Sequence, residues 1–380
     1  MRHAVSTGLR VGTAQAALGF LLTGLGACLV ILARDLAIPI ERLTWLSTSF
    51  GMGLIAVAAT GPVLLRAGPD LPLRAGALTT ATGATVLALA PDLAMATIGT
   101  LLIGLGGAGI VLATPALLTG PDAVLRLTRV SAAASTAAVL SPAAIGALDA
   151  AGASGRLAML IVVPPLLPLI VPARGTVPTD PPGRTQDRPA LGSLTRRWTR
   201  IVLAVAVEFC FTIWAVARLQ DTGVTMSTAA ILGVAFPLGM AIGRLLGPTV
   251  MTRIPVVPAG AAVIALGAAG TTVASGPGLV TAALAVAGIG VAVLYPVTLA
   301  ELTRTPGLRP AHAAPLGALA SGIAIITAPA ALAALADRVE LRGAFLITLP
   351  LLAALLILRP RSAPVDDPID PATTHSSRRL

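Results

Sequence analysis

One acidic residue lies well inside a long apolar stretch. Glu208 follows Arg200 by eight residues, and the residues on both sides of it are mostly apolar. At 1.5 Å of rise per helical residue, Glu208 would lie about 12 Å into a bilayer crossed by that helix. Charged groups at such depth are costly and usually functional, so we expect Glu208 to exchange a proton or to contact a bound solute. The alternative is a neutral glutamic acid that is hydrogen-bonded to a neighbouring helix.

Three further side chains are candidates for contact with a solute. Trp214 follows Glu208 by six residues and lies on a somewhat different face of the same helix. Tyr295 precedes Pro296, and a proline can kink a helix and free a carbonyl group toward a cavity. Gln15 is a polar side chain on the first apolar run. Aromatic residues make up only 3% of the chain, which argues against a sugar as the solute.

Three charged residues near helix ends are candidates for gating. Arg244 lies near the end of an apolar stretch, where a snorkelling or gating role is favoured over contact with a solute. Asp149 and Asp337 lie at the ends of two apolar stretches, in corresponding parts of the chain. We expect both carboxylates to cap or gate rather than to bind the solute.

The remaining reactive residue types argue against an enzyme. All three histidines stand at chain ends or in loops, so no buried histidine centre can be assembled, and neither metal-ligand spacing nor a disulfide framework can be built from the two cysteines. The sequence has no lysine, which excludes a Walker-type phosphate loop and a Schiff base. We therefore expect no cofactor and no metal. The residues concerned are His3, His312, His375, Cys28 and Cys210.

The composition is that of a membrane protein. The chain is 56% hydrophobic and 11% charged, with a mean hydropathy of +0.91. A water-soluble domain with this composition would expose large apolar patches, whereas a bilayer covers them. The net charge of +10 is explained by basic residues in cytoplasmic loops, so no nucleic-acid partner is expected.

Apolar runs long enough to cross a bilayer recur along the chain, and they predict an all-α membrane protein of about twelve transmembrane helices. Residues 1–173 would form a first bundle of six helices and residues 201–359 a second one. Residues 174–200 would form a cytoplasmic central loop, and residues 360–380 a disordered cytoplasmic tail. The predicted spans are 11–33, 44–65, 73–91, 93–118, 130–150, 155–173, 201–218, 226–246, 256–275, 278–300, 313–336 and 343–359.

The distribution of arginine predicts the orientation. If the N-terminus is inside and the spans alternate, 20 of the 26 arginines fall on the inner side and 6 on the outer side. Basic residues accumulate on the cytoplasmic side of membrane proteins. The count predicts an even number of helices, with both termini in the cytoplasm and the chain in the cell's inner membrane.

The two predicted bundles repeat each other in sequence. Residues of the second span match residues of the second bundle that lie a constant number of positions later in the chain. Residues of the fourth span match in the same way, at a slightly smaller separation. Parallel repeats of this kind build two bundles around a cavity, which rocking exposes to each side in turn. The matches are Phe50, Gly53, Gly61, Pro62 and Pro69 with Phe236, Gly239, Gly247, Pro248 and Pro255, and Gly107, Gly109 and Pro115 with Gly288, Gly290 and Pro296.

The sequence resembles the major facilitator superfamily along residues 10 to 360. In that family the loop after the second helix reads Gly-x-x-x-Asp-Arg-x-Gly, and here Gly61, Arg66 and Gly68 match it while Leu65 replaces the aspartate. The resemblance implies the two-bundle fold of the family, and it implies that the loop is part of a gate. The segment from Ser141 to Gly146 is similar to the family's fifth-helix motif in exporters, which favours efflux over uptake.

Together these observations predict a secondary transporter of a small organic solute, coupled to protons and working by alternating access as a monomer. The expected partners are the solute, H⁺ and the lipid bilayer. The alternative is a non-transporting membrane sensor or scaffold with a transporter fold.

Overall fold

The protein is a multi-pass helical membrane protein. A computed structural model describes residues 2–39, 43–118, 123–172, 190–250, 255–308 and 310–359, and within these ranges every regular element is a helix. The predicted tail and most of the predicted central loop lie outside the described residues.

The first half of the chain contains five long helices and a shorter, tighter sixth segment. The helices are α1 (Arg2–Leu36), α2 (Thr44–Arg66), α3 (Asp70–Ala88), α4 (Leu93–Leu117) and α5 (Ala123–Ala150). The sixth segment consists of α6 (Val163–Leu166) between the 3₁₀ turns Gly155–Val162 and Leu167–Ile170. Three prolines at 164, 165 and 168 lack the N–H group that would bond back to the preceding turn, so a continuous α-helix cannot run through this segment.

The second half repeats this order, with several helices interrupted. Its helices are α7 (Leu191–Gln220), α8 (Met226–Leu232), α9 (Ala235–Val250), α10 (Val256–Val273), α11 (Pro277–Val291), α12 (Leu294–Thr303), α13 (Pro310–Ala344) and α14 (Thr348–Ile357). The helices α8 and α9 together form one pass, and α11 and α12 together form another. The last stretch is bent at Glu340, whose φ of 61° and ψ of 158° are not helical.

The described residues give the twelve predicted passes. Eight helical stretches are long and apolar enough to cross a membrane, and Trp45–Gly61 and Gly155–Ile170 are shorter apolar helices. The stretch His312–Ile357 is counted among the eight, but the break at Glu340 divides it into two passes. The remaining pass is α3.

Each half packs in the same way. In the first half α5 packs on α1, and α4 packs on both α2 and α3; in the second half α13 packs on α7, and α11 packs on both α9 and α10. Between the halves, α2 packs on α13, α5 on α8 and α9, and α1 on α7.

Contacts of glycines correct the predicted register of the repeat. A Cβ on Gly104 would meet the carbonyl oxygen of Phe50, and a Cβ on Gly288 would meet that of Phe236. Gly104 is therefore the counterpart of Gly288, and the predicted match of Gly107 to Gly288 is wrong. The sequence permits the error because Gly104 and Gly106 have the same spacing as Gly107 and Gly109.

An arginine closes each half on the side of the bundle where α1 and α7 begin, which we call the N side. Arg10 donates to the carbonyl oxygen of Leu169 at 3.1 Å, and Arg200 donates to that of Leu355 at 2.7 Å. Leu169 and Leu355 are separated by the same number of positions as the matched residues of the second span, such as Phe50 and Phe236. Each arginine thus joins the first helix of its half to the end of the last.

The seventh helix begins ten residues before the predicted span. Residues 191–200 were predicted to belong to the central loop, but they form the first turns of α7. Leu194 and Trp198 pack against the apolar core, and the Trp198 indole N–H donates to the Leu316 carbonyl oxygen at 3.0 Å. Because arginines share these turns, the segment is amphipathic, and a search for continuous apolar runs misses it.

Candidate functional site

Glu208 lies on the helix that touches most of the others. The helix α7 packs against α13 of its own half and against α1 of the first half. The residues that follow Glu208, Phe209 and Cys210, are buried, whereas Glu208 itself is only partly buried. Its carboxylate makes no ion pair or hydrogen bond within the described part of the chain. The helix therefore places a single acidic group inside the bundle without a fixed partner.

Arg244 on α9 is the charged neighbour of Glu208. It acts on the Glu208 carboxylate electrostatically, but its Nη1 atom donates a hydrogen bond to Oγ of Ser135 at 2.6 Å. Ser135 lies on α5 in the other half, is 7% exposed, and itself donates to the Ser131 carbonyl oxygen at 2.9 Å. The guanidinium is thus bonded to a hydroxyl group of the opposite half and acts electrostatically on an acid of its own half.

Tyr295 completes this group, which we call the Glu208 cluster: Glu208, Arg244, Ser135 and Tyr295. Tyr295 lies on α12, and its hydroxyl group is in the electrostatic field of Glu208 and next to Ser321 on α13. Three of the residues proposed from the sequence are therefore brought together. The Ser135 and Ser321 hydroxyls were missed, because nothing in their spacing distinguishes these two serines from the others in the chain.

Gln15 belongs to a separate contact in the first half. Its Nε2 atom donates to Oγ1 of Thr114 on α4 at 2.7 Å, and Thr114 donates to the Ile110 carbonyl oxygen at 2.8 Å. The amide therefore joins α1 to α4, and no contact connects it to Glu208 within the described residues.

Trp214 faces a cavity rather than the Glu208 cluster. It is 3% exposed, and its indole N–H donates to the Pro329 carbonyl oxygen on α13 at 3.2 Å. The cavity has a volume of about 420 Å³ and lies between α1, α7, α8 and α13. It is on the opposite side of the bundle from the N side, which we call the Arg34 side because α1 ends there.

The two aspartates predicted to act alike have different surroundings. Asp149 pairs with Arg34 at 2.8 Å, and its side chain is 8% exposed. Asp337 is exposed and makes no ion pair with any described residue. The first therefore fixes α5 to α1, and the second contributes no comparable contact.

The loop after α2 keeps Gly61, Arg66 and Gly68 of the family motif but not its aspartate. Gly68 has a φ of +101°, a conformation that favours glycine. Gly61 faces Pro315 of the second half, to which an added Cβ would approach within 3.3 Å. Arg66 is exposed and makes no hydrogen bond or ion pair with another described residue. Asp70, which follows the loop, forms an ion pair with Arg10 at 2.8 Å.

An ion pair with a fully buried arginine was not singled out in the sequence. Arg200 is 1% exposed and pairs with Glu301 at 2.8 Å, with a second bond from Nη2 to Oε1 at 3.1 Å. Arg197 donates to the Glu301 backbone carbonyl oxygen at 2.8 Å. These contacts join α7 to α12 within one half, so they support the site without forming part of it.

Comparison with known proteins identifies the fold. No protein-family model and no curated protein matches the sequence, but solved transporter structures match nearly the whole chain. A mutant of the nucleoside transporter NupG has a TM-score of 0.69 at 12% identity, covering 94% of this chain and 100% of its own. The human organic anion transporter MFSD10 (TETRAN) has a TM-score of 0.66 at 16% identity, covering 94% and 98%.

A mutant of the peptide transporter POT in complex with alafosfalin matches with a TM-score of 0.69 at 14% identity, covering 92% of this chain and 94% of its own. At these identities the comparisons establish the fold, and the fold predicted from the sequence is confirmed.

Proposed function

We propose that this chain, which has the fold of major facilitator superfamily transporters, is a proton-coupled secondary transporter of a small organic solute. The observation that carries the proposal is the Glu208 cluster, in which an acid without a fixed partner lies in the electrostatic field of an arginine that is bonded to the other half. Ionisable groups inside a membrane are costly, and in transporters they mark proton relays and solute pathways.

The cluster offers a physical route from a proton to a conformational change. While Glu208 is protonated, Arg244 keeps its hydrogen bond to Ser135, and α9 stays attached to α5. When Glu208 loses its proton, the carboxylate attracts the guanidinium. Two unit charges 4 Å apart interact by about 4 kcal/mol at an effective dielectric constant of about 20, against about 1.5–3 kcal/mol for a hydrogen bond to a charged group. An ion pair formed at that separation therefore outweighs the hydrogen bond to Ser135, and its formation would release the bond between the halves.

The contacts between the halves are suited to such a movement. A Cβ on Gly51 of α2 would meet the Gly322 carbonyl oxygen of α13 at 2.7 Å. Where α5 packs on α8, a Cβ on Gly146 of α5 would meet the Ser227 carbonyl oxygen at 2.8 Å. Small residues let helix backbones approach closely, and such smooth seams let one half rock against the other.

The nature of the solute is proposed from the neighbours and from the chain itself. The matched structures are described as transporters of nucleosides, organic anions and peptides, which supports a small organic solute. We place the N side in the cytoplasm, because the arginine count puts both termini there, and the chain in the inner membrane as a monomer. Efflux is favoured over uptake by the fifth-helix segment that begins at Ser141.

Flux through reconstituted protein tests the proposal. Proteoliposomes with an imposed pH gradient and a trapped pH-sensitive dye are supplied with nucleosides, dipeptides and organic anions in turn. We expect one class to cause gradient-dependent solute movement and proton flux. Glu208→Gln should abolish both, because the amide cannot exchange a proton. Asp92→Asn is the matched control, since Asp92 caps α4 through the Met95 N–H and asparagine retains the cap.

Two results would contradict the proposal. If folded protein moves none of these solutes under a gradient, the non-transporting sensor or scaffold is supported instead. If Glu208→Gln keeps full proton-driven flux, the chain transports but Glu208 is not part of the coupling.

A further inference from the structure

The cavity on the Arg34 side has the properties of a small-molecule site. Its volume of about 420 Å³ lies in the range of about 300–1,000 Å³ that is usual for ligand pockets, which favour interfaces between domains. Residues of the first half supply one wall and residues of the second half supply the others. Most of the lining is apolar, with a few polar groups, as in other sites for organic ligands.

Trp214 lines this cavity, whereas no residue of the Glu208 cluster does. The indole lines the cavity and is held by its hydrogen bond to the Pro329 carbonyl oxygen. Glu208 lies six residues earlier on the same helix, about 9 Å away along the axis at 1.5 Å per residue. A ligand in the cavity therefore rests on Trp214 and does not touch Glu208.

The positive charge in the cavity wall is already compensated. Arg34 pairs with Asp35 at 2.9 Å and with Asp149 at 2.8 Å, so two carboxylates surround one guanidinium. Asp35 also forms an ion pair with Arg156 at 3.5 Å. An anionic ligand would have to compete with these carboxylates for Arg34.

The negative charge in the wall that the second half supplies has no such partner. Asp221 caps the C-terminal end of α7, where the helix dipole adds partial negative charge, and it makes no ion pair within the described part of the chain. Arg218 directs its guanidinium to the carbonyl oxygens of Thr271 and Ala274 instead. Partial removal from water raises the pKa of Asp221, an effect that Arg218 opposes and Glu340 reinforces.

We propose that this cavity binds a monovalent organic cation with an apolar body, with the positive charge at Asp221 and the body against Trp214 and the aliphatic wall. The apolar lining includes Met226 and Leu341, which offer flexible surface to such a body. The inference deepens the proposed function by naming a solute class, and it rests on that function for the passage of the bound cation across the membrane.

Two probes of the same shape and opposite charge test the proposal. Equilibrium dialysis of the full chain in a non-ionic detergent measures binding of tetraphenylphosphonium, with tetraphenylborate as the anionic counterpart. We expect saturable binding of the cation and at least tenfold weaker binding of the anion. Equal binding of both would show that only apolar contact is involved, and it would overturn the charge assignment.

Variants place the cation in the cavity. Asp221→Asn should weaken tetraphenylphosphonium binding at least tenfold, whereas Asp92→Asn, the same change at another helix end, should leave it unaltered. Ala333→Phe should also abolish binding, because Ala333 lines the cavity and the added ring fills it. An unchanged affinity in Asp221→Asn would refute the proposal, whether or not the Ala333 variant folds.

The test is separable from that of the proposed function. Glu208→Gln should bind tetraphenylphosphonium as the unchanged chain does, since the cavity does not include Glu208, while its proton-driven flux is lost. If proton-driven flux of another solute is present and the cation does not bind, the cavity assignment alone is wrong. If the cation binds and no solute moves, the cavity assignment holds and the transport function fails.

Discussion

The Arg200–Glu301 pair permits a quantitative prediction of stability. The Arg200 side chain is 1% exposed and that of Glu301 is 23% exposed. The guanidinium donates to both carboxylate oxygens and to the Leu355 carbonyl oxygen. Glu301→Gln keeps the size of the side chain and one acceptor oxygen, but it removes the charge that compensates Arg200.

The expected loss follows from the burial of the arginine. Breaking a buried ion pair by removing one partner costs about 3–5 kcal/mol, because the remaining charge stays buried without compensation. The amide oxygen of glutamine and the Leu355 carbonyl oxygen still accept hydrogen bonds, so we expect the lower end, about 3 kcal/mol. This is a large part of the roughly 5–15 kcal/mol by which proteins are usually stable.

The corresponding pair of the first half provides the control. Arg10 and Asp70 are equally close, at 2.8 Å, but their side chains are 19% and 31% exposed. Ion pairs with such access to water contribute about 0–1 kcal/mol. Asp70→Asn should therefore lower the free energy of unfolding by no more than about 1 kcal/mol.

Denaturant unfolding in detergent, followed by helical circular dichroism and tryptophan fluorescence, measures both losses. Trp198 reports on the region directly, because it lies within one turn of Arg200 and is bonded to α13. The reasoning is refuted if the two variants lose the same free energy, since burial is the only property that the argument uses to separate them.

Two further predictions concern the contact between the halves. Ser135→Ala removes the acceptor that holds Arg244, so the guanidinium turns to Glu208 and the midpoint of proton-driven flux should move to lower pH. Thr136→Ala changes an exposed neighbour and should not move the midpoint. Identical pH profiles for the unchanged chain and both variants would contradict the proposed role of the Arg244–Ser135 hydrogen bond. Gly51→Val places a side chain where the backbone of α13 lies within 3.0 Å of an added Cβ, so flux should fall at least tenfold. Gly278→Val, at a position with open space, should retain flux. Equal flux in the two variants would contradict a role for the close contact between α2 and α13 in transport.

Much of the fold could be predicted because its cause is local. Each apolar run must be long enough to cross the bilayer, and that length can be counted along the chain. Prolines, glycines and arginines between the runs show where the passes end. The start of α7 at Leu191 escaped this reasoning, since its first turns rest on the protein through one apolar face and carry arginines on the other.

The candidate site was predictable only in part. Glu208 was found because a charge in an apolar run is conspicuous, and Arg244 and Tyr295 because each is rare in its surroundings. Their meeting depends on the packing of three helices, which no local pattern encodes. Ser135 could not be found at all, because its role depends on a contact with a residue more than one hundred positions away.

The Glu208 cluster draws its acid, its arginine and its tyrosine from one half, although both halves share one architecture. The first helix has no acidic residue between Arg10 and Arg34 that could correspond to Glu208. In the register that aligns Phe50 with Phe236, Arg244 corresponds to Ala58, and in the register that aligns Gly104 with Gly288, Tyr295 corresponds to Val111. The first half thus lacks the acid, the arginine and the tyrosine of the cluster, so under the proposed function only the second half responds to the proton. A charge at the centre of a membrane helix costs about 2.5–3.5 kcal/mol, and a duplicated protein bears that cost in one copy only. Joining two first halves should accordingly give a chain with the same outline and no means of responding to a proton.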